Sequence, residues 1–350
     1  MKKLVMAAAV LGAFAGGAQA QTSVTLYGIA DGDIRFDHTN IGTLKSVGSG
    51  GESGSRWGMR GTEDLGGGMT ANFNLTGGFG VDTSAIGQSA AGAVPLLFGR
   101  EAWVGLSGGF GAVTLGRQVT ILANGPWAIT GGYANYDAWA NTTFNGGFGN
   151  AASIAHDAVR KNNSVQYQTP AMGGFTGTVM WAPGENGIAL GTGASNYWSL
   201  GLGYANGPVN VQFGYEHDKV IPGAALAPSG TALGKSQGQW ALAGTYDLGV
   251  VKLGASVERA SLVTTRDKGY ALSASAPLGP ISVDFEYARE ETKIASVFAS
   301  KASAINLRVN YPLSKRTKVY ALISDGNSNT AVAGAKQNLN RYMVGMRHVF

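Results

Sequence analysis

The 350-residue chain has no cysteine. Disulfide scaffolds, thiolate metal sites and cysteine nucleophiles are excluded together, and a chain this long holds a fold without cross-links. Charge is scarce too: 13% of residues are Asp, Glu, Lys or Arg, about half the usual share. With Phe 13, Tyr 13 and Trp 7 also present, a disordered polyelectrolyte is excluded. Proline is rare, at 10, and the 55 glycines have no three-residue period, which excludes collagen. The formal net charge of +5 includes Lys2 and Lys3. No basic helix or arginine run supports a nucleic-acid partner. Beyond residue 20 no run of 18 apolar residues occurs, so no transmembrane helix is expected. Membrane strands stay open, because their signal lies in alternation.

What is present begins at the N-terminus. Met1-Lys2-Lys3 is basic, residues 4–15 are apolar, and Ala18-Gln19-Ala20 has the A-x-A form. Residues 1–20 therefore read as a cleaved signal peptide, and 21–350 as a single exported domain.

That domain divides into segments of about ten residues with period two. In 209–216, Val209, Val211, Phe213 and Tyr215 oppose Asn210, Gln212, Gly214 and Glu216. In 281–288, Ile281, Val283, Phe285 and Tyr287 oppose Ser282, Asp284, Glu286 and Ala288. Trp198, Leu200, Leu202 and Tyr204 repeat the pattern, as do Ile305, Leu307, Val309 and Tyr311. Tight turns are expected at 64–68, 107–111, 170–174, 205–208, 247–250, 277–280 and 311–316. Longer connections are expected at 37–52, 80–97, 118–159, 184–196, 217–237, 262–267, 291–302 and 325–339. Short and long alternate strictly, giving sixteen strands from 24–36 to 339–350, with all turns at one rim and all loops at the other.

A half-buried soluble sheet shows the same alternation. Three features favour an all-β, 16-stranded antiparallel transmembrane barrel instead. The strand count is even and closure removes edges. Short turns alternate with long loops. Aromatics stand at strand ends on the apolar parity (Tyr204, Tyr215, Tyr246, Tyr287, Tyr311, Tyr342, Phe350), where girdles are required. Arginine then decides which face meets lipid. An outward Arg at the bilayer midplane costs about 2–4 kcal/mol, so Arg35, Arg56, Arg60, Arg100, Arg160 and Arg308 are assigned to the lumen. A polar lumen inside sixteen strands is too wide to fill with side chains and holds water.

Several motifs carry a resemblance. They are Val24-Thr25-Leu26-Tyr27-Gly28, the run Ser55-Arg56-Trp57-Gly58-Met59-Arg60-Gly61, Thr114-Leu115-Gly116-Arg117-Gln118, Arg160-Lys161-Asn162-Asn163-Ser164-Val165, and the terminal Gly345-Met346-Arg347-His348-Val349-Phe350. Across the whole mature chain they resemble the Gram-negative general diffusion porins of the β-proteobacterial type. The resemblance implies an outer-membrane location, contact with outer-membrane lipid, and a homotrimer. It also implies a third loop, here 118–159, folded into the pore. Matched positions give a basic constriction wall of Arg56, Arg100 and Arg160, while alternation adds Arg60 and Arg308. On the loop side only Asp137 is well placed, since Asp157 stands at the loop's exit. Asp31, Asp33, Asp284 and Glu286 are further pore-lining candidates. Phe350 resembles the family's signal to the outer-membrane assembly machinery. The function implied is passive diffusion of ions and small hydrophilic solutes, with a mild anion preference because the loop is poor in acid. A substrate-specific channel of the same fold is the alternative, because aromatics line the long loop.

Adjacent Arg100 and Glu101 cannot both face inward on one strand, so Glu101 is expected to point outward. Other motifs carry less. His38, His156, His217 and His348 lack a second ligand at metal spacing, and no cofactor is expected. Residues 229–236 approach a phosphate loop but lack its first Gly and a following helix. Asp284 and Glu286 share a face, as paired acids do in glycosidases, yet pore lining is the ordinary reading. A lipid hydrolase needs a Ser–His pair facing lipid, and a β-solenoid needs a short repeat; neither is visible. No enzyme is expected.

Overall fold

The computed structural model describes residues 23–40, 42–87, 95–129, 159–183, 196–219, 236–262, 265–330 and 336–350. Residues 1–20, expected to be a leader, Asp137 and most of 118–159 lie outside these residues. In chain order the strands are β1 (Ser23–Thr39), β2 (Gly42–Ser49), β3 (Arg56–Gly66), β4 (Met69–Phe79), β5 (Ile86–Gly87), β6 (Glu101–Gly108), β7 (Gly111–Val119), β8 (Arg160–Gln168) and β9 (Phe175–Pro183). They continue as β10 (Asn196–Asn206), β11 (Val209–Lys219), β12 (Ser236–Asp247), β13 (Lys252–Leu262), β14 (Thr265–Leu278), β15 (Ile281–Ile294), β16 (Val297–Pro312), β17 (Thr317–Thr330) and β18 (Lys336–Val349).

All pair antiparallel with their neighbours, and β1 closes on β18 with Ile29 opposite Val349 and Thr39 opposite Leu339. The seam continues to the last residue, where Gly28 and Phe350 exchange backbone hydrogen bonds at 2.9 and 3.0 Å. Sixteen strands make the closed barrel. β5 is a two-residue spur on β4, and β2 shares one place in the wall with β3. The upper part of β1 pairs with β2, Gly32 to Thr39, and the lower part with β3, Ser23 to Ile29. Between Ser49 and Arg56 the chain leaves the wall.

All seven tight turns fall where expected. Gly67 and Gly68, with φ of 61° and 77°, take the left-handed backbone that the β3–β4 turn requires and L side chains resist. Several expected long loops are shorter. Residues 37–52 are mostly hairpin, since β2 pairs with β1 as far as Gly42 opposite Thr39. At 262–267, Leu262 already pairs with Thr265. At 291–302, strands β15 and β16 pair up to Ile294 and Val297. The polar residues there are strand extensions. Above the bilayer both faces of a strand are wet, so the apolar half of the alternation disappears while the ladder continues.

The outer face is apolar between two aromatic rows. One row, at the loop end, includes Trp181, Trp198, Tyr270 and Tyr342, all exposed, with Trp198 and Tyr215 rings 5.2 Å apart. The other, at the turn end, includes Tyr246, Tyr311 and the Phe175–Tyr204 pair at 4.6 Å. Val, Leu and Ile fill the band between, as lipid contact demands. Among the described residues the barrel has no single apolar core. Buried apolar clusters occur on the inner wall, one of Ile121, Met180, Ala182 and Tyr197, another of Tyr320, Leu322 and Met343. Each lies where an inserted segment covers the wall.

Candidate functional site

The first insertion follows β7. Residues 120–129 turn into the lumen as two short helical turns, Ile121–Asn124 and Pro126–Ile129, and cross to the inner face of β9 to β13. Leu122 is wholly buried there and Ile121 nearly so. Glycines on the wall make room: a Cβ on Gly201 would lie 2.6 Å from Ile121 Cγ2, and one on Gly214 2.8 Å from Leu122 Cδ2. Trp127 Nε1 donates to Glu258 Oε2 at 3.0 Å, tying the insertion to β13. Gly214→Val is expected to lift Leu122 off the wall at a cost of about 1–3 kcal/mol, an overpacking penalty. Single-channel conductance should fall. Gly244→Val, where a Cβ meets nothing nearer than 3.6 Å, should leave conductance unchanged.

The second insertion is the 50–55 segment, which lies on the inner face of β1, β18 and β17. Asp31 holds it. The carboxylate accepts the backbone N–H groups of Glu52 and Ser53 at 3.1 and 2.7 Å and the Tyr320 hydroxyl at 2.7 Å. The Asp31 backbone, left without a strand partner on that side, is also satisfied by this segment. Its N–H donates to Ser55 Oγ at 3.0 Å, and its carbonyl accepts from Gly50 N at 2.9 Å and Ser55 Oγ at 3.1 Å. Exhaustive pairing of this kind is what burial of polar groups requires. Gly51 packs so closely that a Cβ would lie 2.5 Å from Tyr320 Oη. Glu52 thereby reaches Lys318, Arg308 at 3.6 Å and Arg347 at 4.0 Å.

The two insertions stand on opposite walls, one over β9 to β13 and the other over β17, β18 and β1. Between them lie the charges assigned from sequence. Arg56 and Arg60 face the lumen, since Arg56 is opposite Ile29 and Arg60 opposite Thr25 on β1. Arg56 donates to Gly54 O and Ser53 Oγ at 3.3 and 3.2 Å. Arg60 is exposed and stands over Tyr27 at 5.1 Å. It borders a polar recess of about 690 Å³ with Asn72, Asn74, Glu101 and Gln166. Arg308 is buried and donates twice to Asp284 Oδ2, at 3.1 and 2.9 Å. Asp33 chelates Arg35 with two bonds of 2.6 Å.

Three placements differ from expectation. Glu101 faces inward: its oxygens accept from Asn74 Nδ2 at 3.1 Å and Trp103 Nε1 at 3.2 Å. Arg100 precedes β6 and so escapes strand alternation, and it too is buried. Second, Asn163 takes a positive φ of 54°, and the β7–β8 register shifts beside it. This puts Lys161 opposite the inward Gln118, with Arg160 one place on, opposite Val119. Lys161 bonds Asp218 at 2.6 Å and lies 4.5 Å over the Tyr197 ring. Third, Asp31, Asp33, Asp284 and Glu286 are on the inward face but buried, at 0 to 6% exposure. They are structural anchors more than open pore surface.

Sequence reasoning missed Glu52, Lys161, Glu258, Lys318, Arg347 and Arg341, which donates to the Asp37 carboxylate at 2.7 and 2.8 Å. Lys318, Arg341 and Arg347 share parity with Tyr320, Met343 and Gly345, so alternation carries their signal. Glu52 sits in a run of Gly and Ser, which reads as an ordinary loop.

A closed barrel with an apolar belt outside and a charged, hydrated lumen partly filled by its own loops is an outer-membrane channel. The comparisons say which. Residues 7–331 match the model of the Gram-negative porins, and the chain belongs to that family, whose members are passive channels rather than enzymes. It is 32% identical to an outer membrane porin protein of Bordetella pertussis, with both chains fully covered. It is 33% identical to outer membrane porin protein 32 of Delftia acidovorans, again over the whole of both. Among solved structures, an anion-selective porin from Comamonas acidovorans matches with a TM-score of 0.75 at 28% identity, covering 94% of this chain and 100% of that one. The protein is a porin of the Gram-negative outer membrane that lets ions and small hydrophilic solutes diffuse passively.

Proposed function

We propose that the channel favours anions, with Arg56, Arg60 and the buried Arg100 as its basic wall. One observation carries this reading. Six lumen acids are withdrawn from the water while several lumen bases remain at it, and Glu101 stays on the polar recess beside Arg60. Asp31, Asp33, Asp37, Glu52, Asp284 and Glu286 are each at most 8% exposed, and each is hydrogen-bonded or ion-paired. Arg60 is exposed, and the side chains of Lys318 and Arg347 are 24% and 26% exposed. A permeating ion therefore meets positive charge first, which raises local anion concentration. The anion-selective character of the Comamonas porin is consistent with this reading. Reversal potentials in a salt gradient across a planar bilayer test it. The expected sign is anion preference, shrinking as screening shortens to about 3 Å at 1 M salt.

The same reading includes a homotrimer and recognition by the outer-membrane assembly machinery through Phe350. Supporting the second point, Phe350 is 42% exposed at the turn rim, on the strand that closes the barrel.

A further inference from the structure

The 50–55 segment carries a residue whose place is explained neither by barrel closure nor by the loop after β7. We propose that Glu52 sets the strength of the channel's charge selectivity, as a fixed counter-charge to Arg308, Lys318 and Arg347. The proposal rests on the reading of the lumen as charge-selective. Glu52 Oε1 meets all three cations, Arg308 at 3.6 Å, Arg347 at 4.0 Å and Lys318 closest of all. They come from three successive strands, β16, β18 and β17. Arg308 also has Asp284 at 2.9 Å. Among the described residues, the other acids near this point are Asp31 and Asp33. Asp31 is occupied by the Tyr320 hydroxyl and two backbone N–H groups, and Asp33 by Arg35. Glu52 is thus the carboxylate that balances Lys318 and Arg347, the two partly exposed members of the cluster. It comes from a segment that closes no part of the barrel ladder, so its charge is separable from the wall. Two cations offset by one acid present less positive potential to the lumen than two alone. An ion passing within a Debye length, about 10 Å at 0.1 M, senses the difference.

The test is the reversal potential of the full chain in planar bilayers at 0.1 M mean salt. Glu52→Gln keeps the shape and removes the charge. The anion-to-cation permeability ratio is expected to rise about threefold, and the rise should fade at 1 M salt as screening tightens. Glu52→Gln with Lys318→Met restores the charge balance and should return the ratio to the wild-type value. Lys318→Met alone should shift it toward cations, which supplies a readout if Glu52→Gln assembles poorly. An unchanged ratio in Glu52→Gln would overturn the proposal. So would a double variant as displaced as the single, since that would mean the segment acts through shape. The sign of the wild-type preference is a separate matter. A cation-preferring wild type would defeat the anion reading, while an anion-ward shift in Glu52→Gln would still uphold the role of Glu52.

Discussion

Asp31→Ala is expected to unlatch the 50–55 segment from the inner wall and to speed exchange of the Glu52 and Ser53 amides about a hundredfold. Three donors converge on that carboxylate, two backbone N–H groups and the Tyr320 hydroxyl. Hydrogen bonds to a charged acceptor contribute about 1.5–3 kcal/mol each. Water in the lumen replaces part of that, leaving a net loss of about 3 kcal/mol, or about a hundredfold in the local opening equilibrium. The barrel ladder should survive, because β1 stays paired with β18 along Ile29 to Thr39. Hydrogen exchange should therefore show fast amides at 52 and 53 and unchanged protection in β17 and β18. Single-channel records should grow noisier, since a released segment samples the conducting path. Slow exchange at both amides in the variant would show that Ser55 and the ion pairs of Glu52 suffice to hold the segment.

The second large effect is expected on removing the basic wall. Arg56→Gln, Arg60→Gln and Arg100→Gln together should lower the anion-to-cation permeability ratio at least about tenfold at 0.1 M salt. Coulomb's law gives about 1 kcal/mol per charge at about 8 Å with an effective dielectric near 40. Screening by 0.1 M salt roughly halves it. Three charges then change anion occupancy by about 1.5 kcal/mol, and about 1.4 kcal/mol is a factor of ten. Arg160→Gln is the internal comparison. Its ladder partner is Val119, one place beyond the Gln118–Lys161 pair, and the single change is expected to move the reversal potential less than the triple. A triple variant that keeps its wild-type reversal potential would relocate selectivity to the Glu52 cluster or to the loop after β7.

Much of this was legible in the sequence, because a membrane barrel writes its two faces into alternate residues. The parity of Trp198, Leu200 and Leu202 against Tyr197, Ser199 and Gly201 gave the outward face of β10 directly, and the exposures agree. The same rule put Arg56, Arg60 and Arg308 inside. What alternation does not encode is a break in the ladder. Arg100 sits before its strand, Asn163 shifts the β7–β8 register, and 50–55 leaves the wall. In each case a side chain's direction depends on local backbone geometry that period two ignores. Loop length misled for a related reason: strands that continue into water lose their apolar parity while keeping their hydrogen bonds.

The break between β2 and β3 has one more consequence. On β1, pairing passes from Gly32, opposite Ser49, to Ile29, opposite Arg56. Three steps along one strand thus face seven along the other. Both ends of the excursion are pinned by those pairs, so residues added or removed between them alter neither the shear of the barrel nor the register of any later strand. The bore becomes a locally heritable trait. Relatives of this chain can diverge in permeability by editing half a dozen codons, with the rest of the sequence still committed to the same closed sheet.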